Sequence, residues 1–134
     1  MNPAKSLQQA MRSALLARGA LTTLLGGAHI FDEEPRGAKA PFVNFSAIET
    51  RDWSVADQKA HEHFVSLDVV TNSRSRSAAQ AIANEIEMAL DNASLTLVDH
   101  KLINLRVVFT NVTRTKASEN FGAMLRYRAA TEPL

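Results

Sequence analysis

The sequence predicts an α+β fold in which a mainly antiparallel β-sheet carries two principal α-helices packed on one face. Segments with apolar residues at helical spacing and segments with alternating or β-branched residues follow one another in the order helix, strands, helix, strands. Short polar turns join strand pairs, which favours antiparallel pairing over a doubly wound parallel sheet. The length of 134 residues fits one domain that spans residues 1–134.

The first element is predicted to be a helix that begins after Asn2, a good N-cap, with Pro3 at the first helical position. Gly19 is a natural residue to end it, because glycine readily adopts a positive φ. A further short helical turn is predicted before Gly26-Gly27 stops it. One stripe of the first helix contains Leu7, Met11, Ala14 and Leu15, with the long side chain of Arg18 at its rim.

Three strands are predicted in the central part of the chain. Residues 29–31 form a short one, residues 42–50 are rich in β-branched and aromatic side chains, and residues 61–71 alternate. In the third strand, His63, Val65, Leu67 and Val69 share one face, and Phe64, Ser66, Asp68 and Val70 share the other. Residues 51–59 are polar apart from Trp53, Val55 and Ala56, and we interpret them as a long hairpin connection.

The second principal helix is predicted after a serine-rich turn, with Ser77 and Gln80 spaced as a capping box. Residues 95–98, 102–113 and 120–131 are then predicted to be strands. The last two are long, since about 5–6 residues is usual, and long strands at an exposed edge invite pairing with another chain. The stripe of the helix contains Ala79, Ile82, Ala83, Ile86, Ala89 and Leu90.

Composition excludes several classes of protein. Fifteen basic and fourteen acidic side chains leave a formal net charge of +1 and an isoelectric point near 8.2. A dedicated duplex-DNA reader usually has a value above about 9, so tight binding of a polyanion is not expected. The chain has no cysteine, which excludes disulfides, thiolate metal sites and a cysteine nucleophile, and makes a cytosolic origin the default expectation. Neither a signal peptide nor a membrane span is recognisable in the sequence.

Motifs for catalysis or cofactor binding are not found, and we predict no catalytic, cofactor-binding or metal-binding residues and no enzymatic activity. His61 and His63 lie on one strand face, but a metal would need a third ligand from elsewhere, so polar residues at the start of a strand are the favoured interpretation. Gly26-Gly27 lacks the context of a phosphate-binding loop, and GxSxG is absent.

Three sets of residues are candidates for protein interfaces. Trp53, with Arg51 and Asp52, lies in a polar connection, where a tryptophan is often an interface anchor; the alternative is that it folds back onto the core. Asp32, Glu33 and Glu34 form an acidic loop, which suits an inter-subunit contact or simple solvation. Basic residues occur in pairs that suit carboxylates of a partner or a solvated sheet face: Arg74 with Arg76, Arg114 with Lys116, and Arg126 with Arg128.

The ordered series of these features resembles the tail-terminator, or tail-completion, proteins of long-tailed bacteriophages and of phage-derived gene transfer agents. The helical LQQAMRSALLARGALTTLLGG is followed by HIFDEEPRGAKAPFVNFS, the most characteristic part, and then by the Asp52-Trp53 connection. The strand HFVSLDVVT, the helix SAAQAIANEIEMAL, the segment LTLVDHKLINLRVVFTN and the closing FGAMLRYRAATE complete the series. The resemblance therefore covers almost the whole chain.

The resemblance implies a small α+β subunit that closes into a hexameric ring at the head-proximal end of the tail tube. Such a ring stops tube polymerisation, joins the tail to head-completion proteins and lets DNA pass through its lumen without specific binding. The implied partners are further copies of the chain, the tube protein and the head-completion or connector proteins, with no cofactor and no membrane. The implied location is the host cytoplasm during assembly and then the particle.

The alternatives are another head–tail connector or a tail tube subunit of the same particle, a small ligand-binding α+β domain and a nucleic-acid-binding module. A ligand-binding domain would need a pocket with converging polar groups, for which His61, His63 and Asp68 are the first candidates. A tube subunit would polymerise into long tubes alone. A nucleic-acid-binding module would show steeply salt-dependent affinity for DNA. Contacts between Arg126 or Arg128 and the acidic loop of a neighbouring copy would help to hold a ring together.

Overall fold

The computed structural model describes residues 1–115 and 118–134, so Lys116 of the predicted Arg114–Lys116 pair lies outside the described residues. The strands form one five-stranded sheet in the order β1-β2-β3-β5-β4, in which only the β1–β2 pair is parallel. The predicted α+β class with a mainly antiparallel sheet is therefore confirmed. The elements in chain order are α1 (Pro3–Leu16), α2 (Gly19–Leu25), β1 (Ile30–Phe31), β2 (Phe42–Asp52), β3 (His61–Val70), α3 (Arg76–Leu90), β4 (His100–Arg114) and β5 (Phe121–Pro133).

Helix α1 begins as predicted, because the Asn2 side chain accepts hydrogen bonds from the backbone N–H groups of Ala4 (2.8 Å) and Lys5 (3.3 Å). The prediction that Gly19 ends this helix is wrong. α1 ends at Leu16, with Ala17 still near helical geometry, and Gly19 begins α2. The left-handed residue is Gly26, at φ 77°, and it ends α2 where the sequence predicted a stop.

Helix α3 buries its predicted stripe, but it does not use the predicted capping box. The cap is Ser75, whose hydroxyl accepts a hydrogen bond from the backbone N–H of Ser77 at 3.3 Å. The serine-rich turn offers several hydroxyls, and the one that caps is the one whose backbone is still extended where the helix begins.

The predicted strand at residues 95–98 is wrong. Only one isolated bridge, between Thr96 and Lys101, forms there. Positive φ angles at Asn92 (59°) and Asp99 (64°) turn the chain at either end of this segment. The Val98 carbonyl instead accepts a hydrogen bond from the Ser6 hydroxyl of α1 at 2.7 Å.

The other strands are confirmed, with shifted ends. β2 continues to Asp52, beyond the predicted end at residue 50, because it pairs with β3 as far as the Asp52–His61 pair. β4 and β5 have 15 and 13 residues, each longer than the predicted spans 102–113 and 120–131, and of these two strands only β4 is at an edge of the sheet.

The helices cover one face of the sheet, and the core lies between them. On this helix-covered face, Val65, Leu67, Leu125 and Tyr127 are fully buried with the apolar stripes of α1, α2 and α3. The other face is helix-free and carries the even-numbered side chains of β3 and β5, of which Phe64, Arg126 and Arg128 are partly exposed. Among the helices that the structure describes, none combines the length and hydropathy needed to cross a membrane.

Candidate protein interface

The hairpin end between β2 and β3 has a defined, hydrogen-bonded conformation. The Trp53 backbone N–H donates to the Ala60 carbonyl at 2.9 Å, and Val55 and Gln58 exchange two backbone hydrogen bonds. The Asp52 carboxylate accepts the backbone N–H of Ser54 at 3.0 Å. Hydrogen bonding from Ser54 holds the pKa of Asp52 below its ordinary value. The connection that the sequence predicted as a long polar hairpin is thus an ordered projection.

Glu62 is a buried carboxylate that organises the strands beside this projection. It is 5% exposed and accepts hydrogen bonds from Arg51 and, at 2.6 Å, from Nε of Arg128. Arg128 also donates from Nη1 to the Asn104 side chain at 3.2 Å. The hydrogen bond from Arg128, followed by that from Arg51, holds the pKa of Glu62 below its ordinary value, against the effect of burial. Glu62 therefore stays ionised at neutral pH and clamps both arginines.

Trp53 stacks on one of the clamped arginines. The Arg128 guanidinium carbon lies 5.0 Å from the centre of the indole, which is the geometry of a cation–π contact. Trp53 is 43% exposed, and it lines a cleft of about 140 Å³ with the exposed side chains of Val55 and Ile103. The alternative that Trp53 folds back into the apolar core is wrong. The structure brings Arg51, Trp53 and Arg128 together on the helix-free face.

Arg126 lies on the same face but belongs to a separate contact. Its Nη2 lies 3.4 Å from Oε1 of Glu49, and its guanidinium carbon lies 4.8 Å from the ring centre of Phe64. Both arginines of the predicted pair thus have a carboxylate partner within their own chain. Their contact with the acidic loop of another copy stays a prediction.

The acidic loop lies away from Trp53. Asp32, Glu33 and Glu34 follow β1 and are exposed. Oδ1 of Asp32 accepts a hydrogen bond from the Gln8 side chain of α1 at 3.1 Å. Asp32 and Glu33 help to line an open groove of about 600 Å³ between α1 and β2, which leaves their carboxylates accessible from outside the chain.

His63 has a structural role at one end of the helix-covered face. It is fully buried, Nδ1 lies 2.8 Å from the Thr50 hydroxyl, and Nε2 lies 2.8 Å from the Thr131 hydroxyl. Burial, with smaller effects of the charges of His61 and His100, lowers the pKa of His63 to about 4. Both ring nitrogens are already engaged, so His63 is poorly placed to ligate a metal.

The histidines do not form a ligand site with Asp68. The His61 and His63 rings lie 6.3 Å apart, and Asp68 faces the opposite side of β3. Burial raises the pKa of Asp68. Within residues 1–115 and 118–134, no group of three histidine or acidic side chains has the geometry to hold a metal ion.

Glu62 was not among the residues that the sequence marked as candidates. The signal that identifies it is the alternation of side chains along a strand. Glu62 is two residues from Phe64 and therefore lies on the same face of β3, and the β3–β5 register places Phe64 opposite Arg128. Without that register, the sequence contains no indication of which basic residue the carboxylate meets.

Comparison with known proteins finds similarity both to a family model and to solved structures. A family model described as "Tail completion protein gp17" matches residues 9–132. A chain in a solved structure described as "Virion of native gene transfer agent (GTA) particle" is 26% identical, with a TM-score of 0.87, and the alignment covers 96% of each chain. No curated protein matches the sequence.

Proposed function

Because the chain belongs to the tail completion protein gp17 family, we propose that it is a structural subunit of a phage or gene-transfer-agent tail. In this proposal, single-domain subunits close into a hexameric ring at the head-proximal end of the tail tube. The ring occupies the growing end, so that no further tube subunit can add. Its other surface binds the head-completion proteins. The subunit acts by binding and blocking, without catalysing a reaction.

The observation that carries this proposal is the likeness to a chain of a gene transfer agent virion over nearly the full length of both chains. A fold shared from end to end with a particle component supports a role in a particle, because insertions that would add another function are small on both sides. The family match over residues 9–132 supports tail completion as that role. Assembly in the host cytoplasm, followed by incorporation into the particle, is part of the proposal.

The projection that carries Trp53 is the proposed main contact with the tube or with a neighbouring subunit. Tryptophan and arginine are enriched among the residues that dominate binding energy at protein interfaces. Here the Glu62 clamp fixes Arg128 beneath the indole before any partner arrives, which reduces the entropy lost on binding. Arg51 and Asp52 flank the indole and supply charges of both signs at its rim.

The acidic loop and the paired arginines are the proposed secondary contacts. Asp32 to Glu34 are exposed beside the open edge of β2 and are available to basic residues of another copy or of a tail protein. Arg126 is accessible enough to exchange Glu49 for such a partner, since their contact in the chain is 3.4 Å long and Glu49 is exposed.

The charge of the subunit suits a conduit for DNA. Six copies with a formal charge of +1 would give a ring of only about +6. A ring of this charge would bind phosphates weakly, and tight phosphate contacts would slow the passage of DNA through the lumen.

The proposal is tested by adding purified protein to growing tail tubes and imaging the products by negative-stain electron microscopy. We expect rings on one end of each tube and an end to elongation. Particles produced without the protein are expected to have tails of uncontrolled length that are not joined to full capsids. Normal, joined tails in such particles would contradict the proposal, and long tubes formed by the protein alone would identify a tube subunit instead.

Replacement of the anchor tests the proposed contact. Trp53→Ala is expected to weaken ring or tube-end binding while the far-ultraviolet circular dichroism spectrum stays unchanged. Leu24→Ala is the matched control, because Leu24 is equally exposed on α2, away from the projection. Equal binding by the two variants would show that Trp53 is not part of the interface.

A further inference from the structure

The sheet has two uncovered segments, one on the edge strand β4 and one on β2, which β1 covers only in part. β1 pairs only with Val43 and Asn44 of β2, so residues 48–52, the β2 open segment, have a strand on one side only. Residues 110–114, the β4 open segment, pair with β5 and with no other described strand. Both segments are regular, lie beyond the bulges of their strands and lack the proline and lysine that often protect sheet edges.

The remaining parts of these edges are blocked. On β4, the Leu105 carbonyl accepts the Asn92 N–H at 2.9 Å, and the Val107 N–H donates to the Asp91 side chain at 3.0 Å. On β2, β1 occupies the edge beside Val43. The two open segments therefore lie in opposite halves of the sheet along the strand direction.

We propose that the β2 open segment of one copy pairs with the β4 open segment of the next copy, so that the sheet continues from subunit to subunit. This inference rests on the ring of the proposed function and names the surfaces that close it. The register places Glu49 opposite Thr113 and Arg51 opposite Asn111. Adjacent copies are then staggered along the strands by about six residues, or about 20 Å.

The stagger follows from the blocked edges. Across the sheet of one copy, Ile48 is level with Val107, whereas the proposed pairing brings Ile48 level with Arg114 of the next copy. Without the stagger, the β2 segment would meet the part of β4 that Asp91 and Asn92 cover, and β1 would meet the β4 open segment. Closure of a sheet into a barrel requires a fixed stagger of this kind.

Strand direction agrees with the pairing. β2 and β4 run in opposite directions within one sheet, since each adjacent pair from β2 through β3 and β5 to β4 is antiparallel. A rotation that places copies side by side around an axis along the strands preserves these directions. The new pair is therefore antiparallel without inverting any subunit, as a heterologous, closing contact needs.

The side chains and charges of the two open segments also fit the proposed pairing. Thr50 and Val112 both lie on the helix-covered face, opposite His63 and Ala123 in their own sheet, and the register places them opposite each other. No two like charges are directly opposite, and the open segments carry opposite net charge, with Glu49, Arg51 and Asp52 on β2 and Arg114 on β4. The side chains of Val108 and Phe109, about half exposed, lie just beside the β4 open segment.

The absence of cysteine allows a direct test by disulfide trapping. The double variant Glu49→Cys with Thr113→Cys places the two thiols opposite each other across the proposed junction, at a Cα separation of about 4.5 Å. Within one copy, two strands separate β2 from β4, about 14 Å, so an intramolecular disulfide cannot form. The control, Glu49→Cys with Arg106→Cys, has the thiols at the level that zero stagger would bring together.

Rings of each variant are oxidised, imaged and run on a non-reducing gel. We expect the staggered pair to give a ladder of linked copies that ends at the size of the ring, and the control to stay unlinked. Rings without links in the staggered pair, or with links only in the control, would overturn the edge pairing and leave the proposed function intact. Failure of the unmodified protein to form rings, alone or on tube ends, would overturn both.

Discussion

The two faces of the sheet are stabilised in different ways. On the helix-covered face, Leu125 and Tyr127 are fully buried among apolar side chains of the sheet and helices. On the helix-free face, the neighbouring Arg126 and Arg128 are held by Glu49 and Glu62. Apolar burial needs a second layer, whereas paired charges and aromatic rings order a face that no layer covers. The helix-free face thereby keeps aromatic side chains both fixed and accessible.

The largest expected difference between the faces comes from truncation of the core. Leu125→Ala is expected to lower the free energy of unfolding by about 2–5 kcal/mol, because it leaves a cavity in a fully buried site. Chemical denaturation monitored by circular dichroism measures this change. A loss below about 1 kcal/mol would mean that the helices do not close tightly over the strand.

The second prediction concerns the loss of stability at acidic pH, and it tests His63, which is buried in the helix-covered face. The folded pKa of His63 is about 4, below the ordinary histidine value of 6.5, so the unfolded chain binds a proton that the folded chain excludes. This contribution to stability is complete above about pH 6.5 and is lost as the pH falls towards 4, about 3 kcal/mol in all. Thermal melts across this range measure it.

The environment of His63 determines which controls are informative. Thr50 and Thr131 contact its ring, and His61 and His100 are the ionisable groups that act on it. His63→Gln is expected to flatten the dependence on pH between 6.5 and 4.5, whereas the exposed His29→Gln is expected to leave it in place. Equal slopes for the two variants would assign the acid sensitivity to other groups.

The third prediction separates the charge clamp from the core. Glu62→Gln removes the ionic partner of Arg128, and the indole of Trp53 is then less firmly held. Trp53 is the single tryptophan, so we expect a lower fluorescence anisotropy and stronger quenching by acrylamide. Glu49→Gln is the matched control, since Glu49 pairs with Arg126 and not with Arg128. An unchanged indole in Glu62→Gln would show that the clamp does not position it.

The smallest effect on stability is expected at Arg126, which directly follows Leu125, the site of the largest effect. Arg126→Gln breaks a pair whose acidic partner is exposed, and such pairs contribute about 0–1 kcal/mol to stability. Denaturation under the conditions used for Leu125→Ala measures the difference between the two faces directly. A loss comparable to that of Leu125→Ala would mean that the helix-free face contributes to the core stability after all.

Periodicity predicted most of the fold because it depends only on which side chains must be buried. The stripe from Leu7 to Leu15 and the alternation from His63 to Val69 are local patterns, and both are found as predicted. The predictions of single elements were wrong where the local sequence was compatible with more than one structure. Serine hydroxyls competed to cap α3, and residues 95–98 had strand-forming side chains but lie between turns at Asn92 and Asp99 that leave only one isolated bridge.

The candidate interface was predictable only in part. Composition alone distinguished Trp53 and its charged neighbours, since a lone indole in a polar connection is unusual. The partners of Arg126 and Arg128 could not be predicted, because cross-strand register depends on turns and bulges that a one-residue shift would change.

The α+β class, the helix stripes and the polar, cysteine-free character of the chain were thus properties of the sequence, since each follows from side-chain chemistry at short range. The strand order, the burial of Glu62 between two arginines and the position of the open segments at opposite halves of the sheet were decided only by the tertiary structure. The physical reason is that these features depend on contacts between residues far apart in the chain, such as the 66 positions that separate Glu62 from Arg128.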